Sequence, residues 1–182
     1  MNIYGEKIVL RAITDTDTDF LLELINDPET EKMLGGSSFP VSKEEQKKWI
    51  GRLEMERNIL RCVIAEKENV EHGVGSVILS DIDMKNGTAQ IHIKMAKEKG
   101  RGKGYGTDAV GTIVKYAFHE LRLNCVYAEV LSYNVPSQKL FLKCGFHQDG
   151  VMRSRVYKDG NYTDVISFSC LKSDCKESVD HK

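Results

Sequence analysis

The segment Arg101-Gly102-Lys103-Gly104-Tyr105-Gly106 sets three glycines on alternate positions beside two cations. Glycine permits sharp, positive-φ turns that expose backbone N–H groups. The run that follows (Ala109, Val110, Ile113, Val114, Ala117, Phe118, Leu121) repeats with helical period. A glycine loop opening a helix gathers free donors and the positive end of the macrodipole, worth ~0.3–2 kcal/mol toward an anion. The segment therefore reads as a pyrophosphate cradle, with Arg101 and Lys103 supplying local positive charge. Three other uses compete. A Walker A loop needs Ser or Thr directly after its lysine, where this chain has Gly104. A dinucleotide fingerprint is partly met by Gly104-x-Gly106-x-x-Ala109, with Glu129 roughly 20 residues on. That fingerprint should open alternating parallel strands and helices, whereas antiparallel strands precede the loop and a hairpin closes the chain. A plain surface loop would have no reason to launch a long amphipathic helix. A loop for a single coenzyme pyrophosphate in a mixed sheet is the favoured reading.

Other residues carry chemistry singly. His92 has an ordinary pKa suited to a general base, although a strand histidine is more often merely packed. Asp27, Glu29 and Glu31 flank the end of the first helix, where they are placed to attract a cation or simply to be solvated. No His, Cys and carboxylate cluster has metal-ligand spacing, so no metal is expected.

The elements that must position these groups follow from period and punctuation. Lys7 to Ile13 reads as a strand, and the capping residues of "TDTDTDF" precede a helix through Phe20, Leu21, Leu24 and Ile25. Asp27-Pro28 ends it, and Gly35-Gly36 with Pro40 marks a loop. Ser42 and Glu45 form a capping box for a second helix to about Arg57. Alternation then predicts strands over Leu60–Glu66, Val74–Ile82 and Thr88–Met95, with an Asn86-Gly87 turn in which both residues take positive φ. The long helix spans Gly104 to Leu121. Cys125–Leu131 reads as a buried strand, and Pro136 opens a helix that Gly145 stops. Phe146–Tyr157 and Tyr162–Leu171 close the chain as a hairpin around Asp159-Gly160. One domain over residues 1–172 is expected, with a polar, frayed tail over 173–182.

Composition narrows the class. A formal charge of −1 over 182 residues excludes a bulk polyanion binder, so no nucleic-acid partner is expected. The N-terminus lacks a signal-peptide apolar core, and no apolar run reaches the ~18 residues of a membrane span. Five scattered cysteines without a C-x-x-C pair suit a reducing, cytoplasmic setting.

With these elements in order, Arg101-x-x-Gly104-x-Gly106 resembles motif A of the GNAT acetyltransferases. Asn134-Val135-Pro136-Ser137, then Leu140, Phe141 and Cys144-Gly145-Phe146, resembles their motif B. The C-terminal "HQDGVMRSRVYKDGNYTDVISFSCL" is similar to the close of the RimJ/RimL-like branch, and the order of elements matches over roughly residues 3 to 172. The resemblance implies an α+β GNAT fold, a mixed and mostly antiparallel sheet of about six or seven strands with about four helices. It implies an enzyme moving acetyl from acetyl-CoA to a primary amine, with a protein N-terminus as first acceptor. A polyamine, amino acid or amino sugar comes next, and a weakly catalytic coenzyme A-binding protein is the rival of another class.

The resemblance also implies site residues. Ile91, Ile93 and Met95 would offer backbone groups to the pantetheine arm. Arg101, Gly102, Lys103, Gly104, Tyr105, Gly106 and Thr107 would hold the pyrophosphate. Asn134 would bond the coenzyme or order the turn into the next helix, and Phe141 would line the site. Many relatives have a tyrosine acid where this chain has Phe141, and a glutamate where it has Gln90. Ser137 then becomes the candidate acid, or only a capping residue, with His92 as candidate base and Tyr133 a further candidate. Relatives are often dimers or larger, so self-association is expected.

Overall fold

The computed structural model describes residues 1–35, 39–53 and 58–175. Its strands are β1 (Ile3–Tyr4), β2 (Ile8–Arg11), β3 (Leu60–Glu66), β4 (Asn69–Asp83), β5 (Thr88–Met95), β6 (Cys125–Leu131), β7 (His147–Lys158) and β8 (Asn161–Leu171). They form one eight-stranded sheet in the order β1-β2-β3-β4-β5-β6-β8-β7. The helices are α1 (Thr18–Asn26), α2 (Pro28–Lys32), α3 (Lys43–Ile50), α4 (Lys97–Gly100), α5 (Tyr105–His119) and α6 (Val135–Lys143). The eighth strand is the two-residue β1, too short to show a period.

Every ladder is antiparallel except β5–β6, which pairs in parallel through only Thr88–Cys125, Ala89–Val126 and Gln90–Tyr127. Beyond Gln90 the two strands part, and Ile91 to Met95 have no partner on β6. Alternation on β5 decides what flanks the gap. Ala89, Ile91, Ile93 and Met95 join the main core, whose centre is the apolar stripe Ala109, Val110, Ile113, Val114, Ala117 and Phe118 of α5. Gln90, His92 and Lys94 face the other way. On that second face a smaller core packs Leu21 of α1 and Ile50 of α3 on Val9, Val63 and Ala65.

Two turns separate reading from outcome. At Asp159-Gly160 both residues have positive φ (49° and 84°), the two-residue hairpin turn expected. At Asn86-Gly87 only Gly87 does (69°), and the register closes at Asp83–Thr88, giving a four-residue loop. There Asp83 accepts from the N–H groups of Lys85 (2.9 Å) and Asn86 (3.0 Å), which holds the wider turn. The second helix, expected to reach Arg57, ends at Ile50, and residues 54–57 lie outside those described. A 3-10 turn over Lys172–Asp174 follows β8 and Cys175 packs on the core, while the rest of the tail lies outside the described residues.

Candidate active site at the parting of the sheet

The glycine loop sits where the gap meets α5. Gly102 and Gly104 both take left-handed φ (79° and 84°), and Gly104 is the residue from which α5 springs. Asp108 is the first residue of α5 to donate back, to the Gly104 carbonyl, so the N–H groups of Tyr105, Gly106 and Thr107 have no acceptor among the described residues. A Cβ at Gly102 would meet nothing within 4 Å, and one at Gly104 only Lys7 Nζ at 3.5 Å. The backbone is thus open to a ligand that supplies acceptors. A Cβ at Gly106 would touch Met95 Cγ at 3.6 Å, so the loop and the end of β5 adjoin.

The loop's side chains are engaged by neighbouring elements, although Arg101 and Lys103 stay exposed. Arg101 Nη2 donates to Thr30 Oγ1 (3.0 Å), whose hydroxyl donates to the Asp27 carboxylate at the start of α2. Tyr105 Oη donates to Glu66 Oε1 (2.9 Å), which Lys103 Nζ approaches at 3.8 Å. Hydrogen bonds from His72 and then Tyr105 hold the Glu66 carboxyl below its ordinary range. Lys7 Nζ donates to the Lys103 carbonyl at 3.4 Å.

Farther along the gap a cavity of about 330 Å³ gathers Ile91, His92, Ile93, Asn134, Ser137 and Phe141. Met95 and the residues of the glycine loop are not on its lining. Phe141 is buried against Phe146 (centroids 5.0 Å) and Phe168 (6.4 Å), forming the wall on the β6 side. The Asn134 amide is spent on structure: its oxygen caps α6 by accepting from Ser137 N (3.2 Å), and its Nδ2 donates to the Met33 carbonyl (2.8 Å). Ser137 Oγ makes no hydrogen bond among the described residues. His92 Nε2 lies 2.9 Å from Ser80 Oγ. Burial pushes its pKa down, against the upward pull of Asp81 and Glu129.

Above the gap runs α2, which sequence reading missed. Asp27-Pro28-x-Thr30 carries its signal: a capping side chain followed by proline at the first helical position. The segment is pinned from both arms of the gap. Tyr133 Oη donates to the Lys32 carbonyl (2.6 Å), Lys32 pairs with Asp159 (2.9 Å), and Glu31 pairs with Lys158 (3.5 Å) and Lys94 (3.9 Å). The acids expected to attract a cation are therefore engaged within the chain, Glu29 by Lys97 at 2.7 Å and Asp27 by Thr30. Among the described residues no group of three or more His, Cys, Asp and Glu is disposed to hold a metal, and no helix is long and apolar enough to cross a membrane.

The family model described as Acetyltransferase (GNAT) domain matches residues 7–147. The chain is 33% identical to the Uncharacterized N-acetyltransferase p20 of Bacillus licheniformis, over 93% of this chain and 96% of that one. It is 29% identical to a provisionally named ribosomal N-acetyltransferase of Bacillus subtilis strain 168, over 92% and 93%. In fold it matches the spermidine N-acetyltransferase of Vibrio cholerae, solved with CoA and spermine, at a TM-score of 0.86 and 24% identity, covering 93% of this chain and 98% of that one. With an open glycine loop feeding a gap between two parallel strands, and a family match across most of its length, the chain belongs to the acetyltransferase (GNAT) domain family, whose members are acetyl-CoA-dependent N-acetyltransferases.

Proposed function

We propose that the enzyme transfers acetyl from acetyl-CoA to a primary amine of its acceptor by direct attack in a ternary complex. The observation that carries this is the parting of β5 and β6 directly after Gln90–Tyr127, with the glycine loop at the open end. The pyrophosphate rests on the N–H groups of Gly102 to Thr107, and the pantetheine arm lies along the unpaired edge from Ile91 to Met95. Phe141 supports the thioester end. Arg101, Lys103 and Tyr105 act mainly by holding the loop in shape, since their side chains bond to Thr30 and Glu66.

An amine of pKa ~10.4 is only on the order of 0.04% neutral at pH 7, so a base matters. His92, whose pKa desolvation lowers, takes the proton as nitrogen attacks the carbonyl carbon. The N–H of Ile93 faces the developing oxyanion. The C–S bond then breaks, and Ser137, whose hydroxyl is uncommitted, protonates the departing thiolate. Products are the N-acetylated amine and coenzyme A.

An N-terminal residue of a protein, as in the RimJ/RimL-like branch, is one source of such an amine, and the ribosomal name of a relative supports it. A polyamine is the second reading, favoured by the spermine complex of the Vibrio cholerae enzyme, and disfavoured here by the internal pairing of Glu29 and Glu31. Thiol release from acetyl-CoA across an amine panel tests the reaction. If coenzyme A binds and no amine speeds release, the enzyme is not an N-acetyltransferase of such amines. A Ser137→Ala variant should lose tenfold or more in kcat; unchanged kcat removes that residue.

A further inference from the structure

A second cavity, of about 380 Å³, lies on the other face of the sheet beneath α1 and α3. That volume falls within the ~300–1,000 Å³ of small-molecule sites. Leu21, Leu24, Ile25 and Trp49 give it an apolar body. Its floor is the row Ser76 and Ile78 of β4 with Lys94 of β5, where Ser76 and Lys94 are directly opposed across the ladder. Lys94 also lines the cavity at the parting of the sheet, so one side chain joins the two spaces.

The polar rim is unusual. Gln46 is 4% exposed and Ser76 9%, yet neither side chain has a hydrogen-bond partner among the described residues. Neither has a polar atom sealed from contact, so what exposure they keep opens into this cavity. Here they are donors open to a ligand beside the Lys94 ammonium, which Glu31 of α2 approaches at 3.9 Å. The carboxylate on the lining, Glu45, is committed to the Ser42 N–H at 2.8 Å.

We propose that this cavity binds the acceptor as a free α-amino acid with a large apolar side chain, its carboxylate on Lys94, Gln46 and Ser76 and its α-amine directed to the thioester. The inference rests on the acetyltransferase reading and narrows it. A polyamine would bring a second cation against Lys94 and find no free acid on the lining. A peptide N-terminus would present a neutral amide where the site gathers a positive charge and two donors.

Trp49 is the only tryptophan in the chain, so its fluorescence reports occupancy without any chemistry. L-leucine and L-phenylalanine titrated into the full chain should shift Trp49 emission saturably, and leucinamide and spermidine at least tenfold more weakly. In thiol-release assays the same two amino acids should exceed leucinamide, spermidine and a Leu-initiated peptide tenfold or more in kcat/KM. Lys94→Met should erase the preference for acid over amide, and Gln46→Leu should raise KM with little change in kcat. No emission change with either amino acid, or faster turnover of spermidine or the peptide, overturns the proposal. Saturable quenching without thiol release leaves the cavity assigned and overturns the transferase reading instead.

Discussion

Asp108 Oδ2 accepts from the Lys7 N–H at 2.7 Å, across 101 residues of sequence. The same carboxylate takes the N–H groups of Glu6 (3.1 Å) and Ile8 (3.1 Å), so the first turn of α5 holds the β1–β2 turn. Asp108→Ala should cost about 2–3 kcal/mol, the scale of hydrogen bonds to a charged group, read by urea unfolding. Gly5→Ala offers an independent check, since its Cβ would lie 2.7 Å from Asp108 Oδ2. If both variants unfold like the parent, the tie contributes nothing.

The two left-handed glycines of the loop should separate strain from occlusion. Either Gly102→Ala or Gly104→Ala costs about 1–2 kcal/mol in backbone strain, because both need positive φ. Gly104→Asp adds a negative charge beside the free N–H groups and should weaken acetyl-CoA binding a hundredfold or more by calorimetry. Equal acetyl-CoA affinity in a folded Gly104→Asp protein would displace the pyrophosphate from this loop.

Legibility followed the range of the interactions. The glycine loop, α5, β3 and β6 could be read because a local pattern fixes each: glycines before a stripe, alternation, an apolar run. Asn86-Gly87 misled because Asp83, three residues upstream, captured two N–H groups and widened the turn. The roof formed by α2 was invisible as a roof, since its contacts with Tyr133, Asn134 and Lys158 are all tertiary. Gln46 and Ser76 belong to separate elements about thirty residues apart, and no spacing rule joins a helix to a strand on the far side of a cavity.

Arg11 and Asp17 form a buried, two-pronged pair at 2.8 and 2.7 Å, with side chains 9% and 5% exposed. Burial alone would raise the Asp17 pKa, but hydrogen bonds from Arg11 and Thr14 prevail and lower it. A lowered carboxyl pKa contributes stability above its unfolded value of ~3.9, which is lost as pH falls through the folded one. Asp17→Asn should therefore lose about 3–5 kcal/mol at neutral pH. The parent's advantage over this variant should shrink below pH ~4, as followed by thermal unfolding at stepped pH.

His92 predicts an acidic limb. Burial lowers its pKa from the ordinary ~6.5, so a rate needing neutral His92 should rise with pH below that value and level off near neutrality. Profiles of kcat/KM with acceptors of different amine pKa separate this limb from the substrate's own titration. His92→Gln should remove the limb and lower the plateau by 10²–10⁴. A limb that survives the substitution assigns the proton elsewhere.

The three rungs between β5 and β6 have a further meaning. They are the seam between a five-stranded and a three-stranded half of the protein, and α5 and α6 must do much of the holding across it. This short join in the main-chain ladder coincides with the proposed meeting place of the substrates. A molecule that fills the seam binds only when both halves are assembled, so coenzyme bound at the proposed site also acts as a clamp. At a hundred times its dissociation constant it would raise global stability by ~2.7 kcal/mol through mass action. On the proposed site the chain is thus least secure when empty, and bound coenzyme A adds to what keeps it folded.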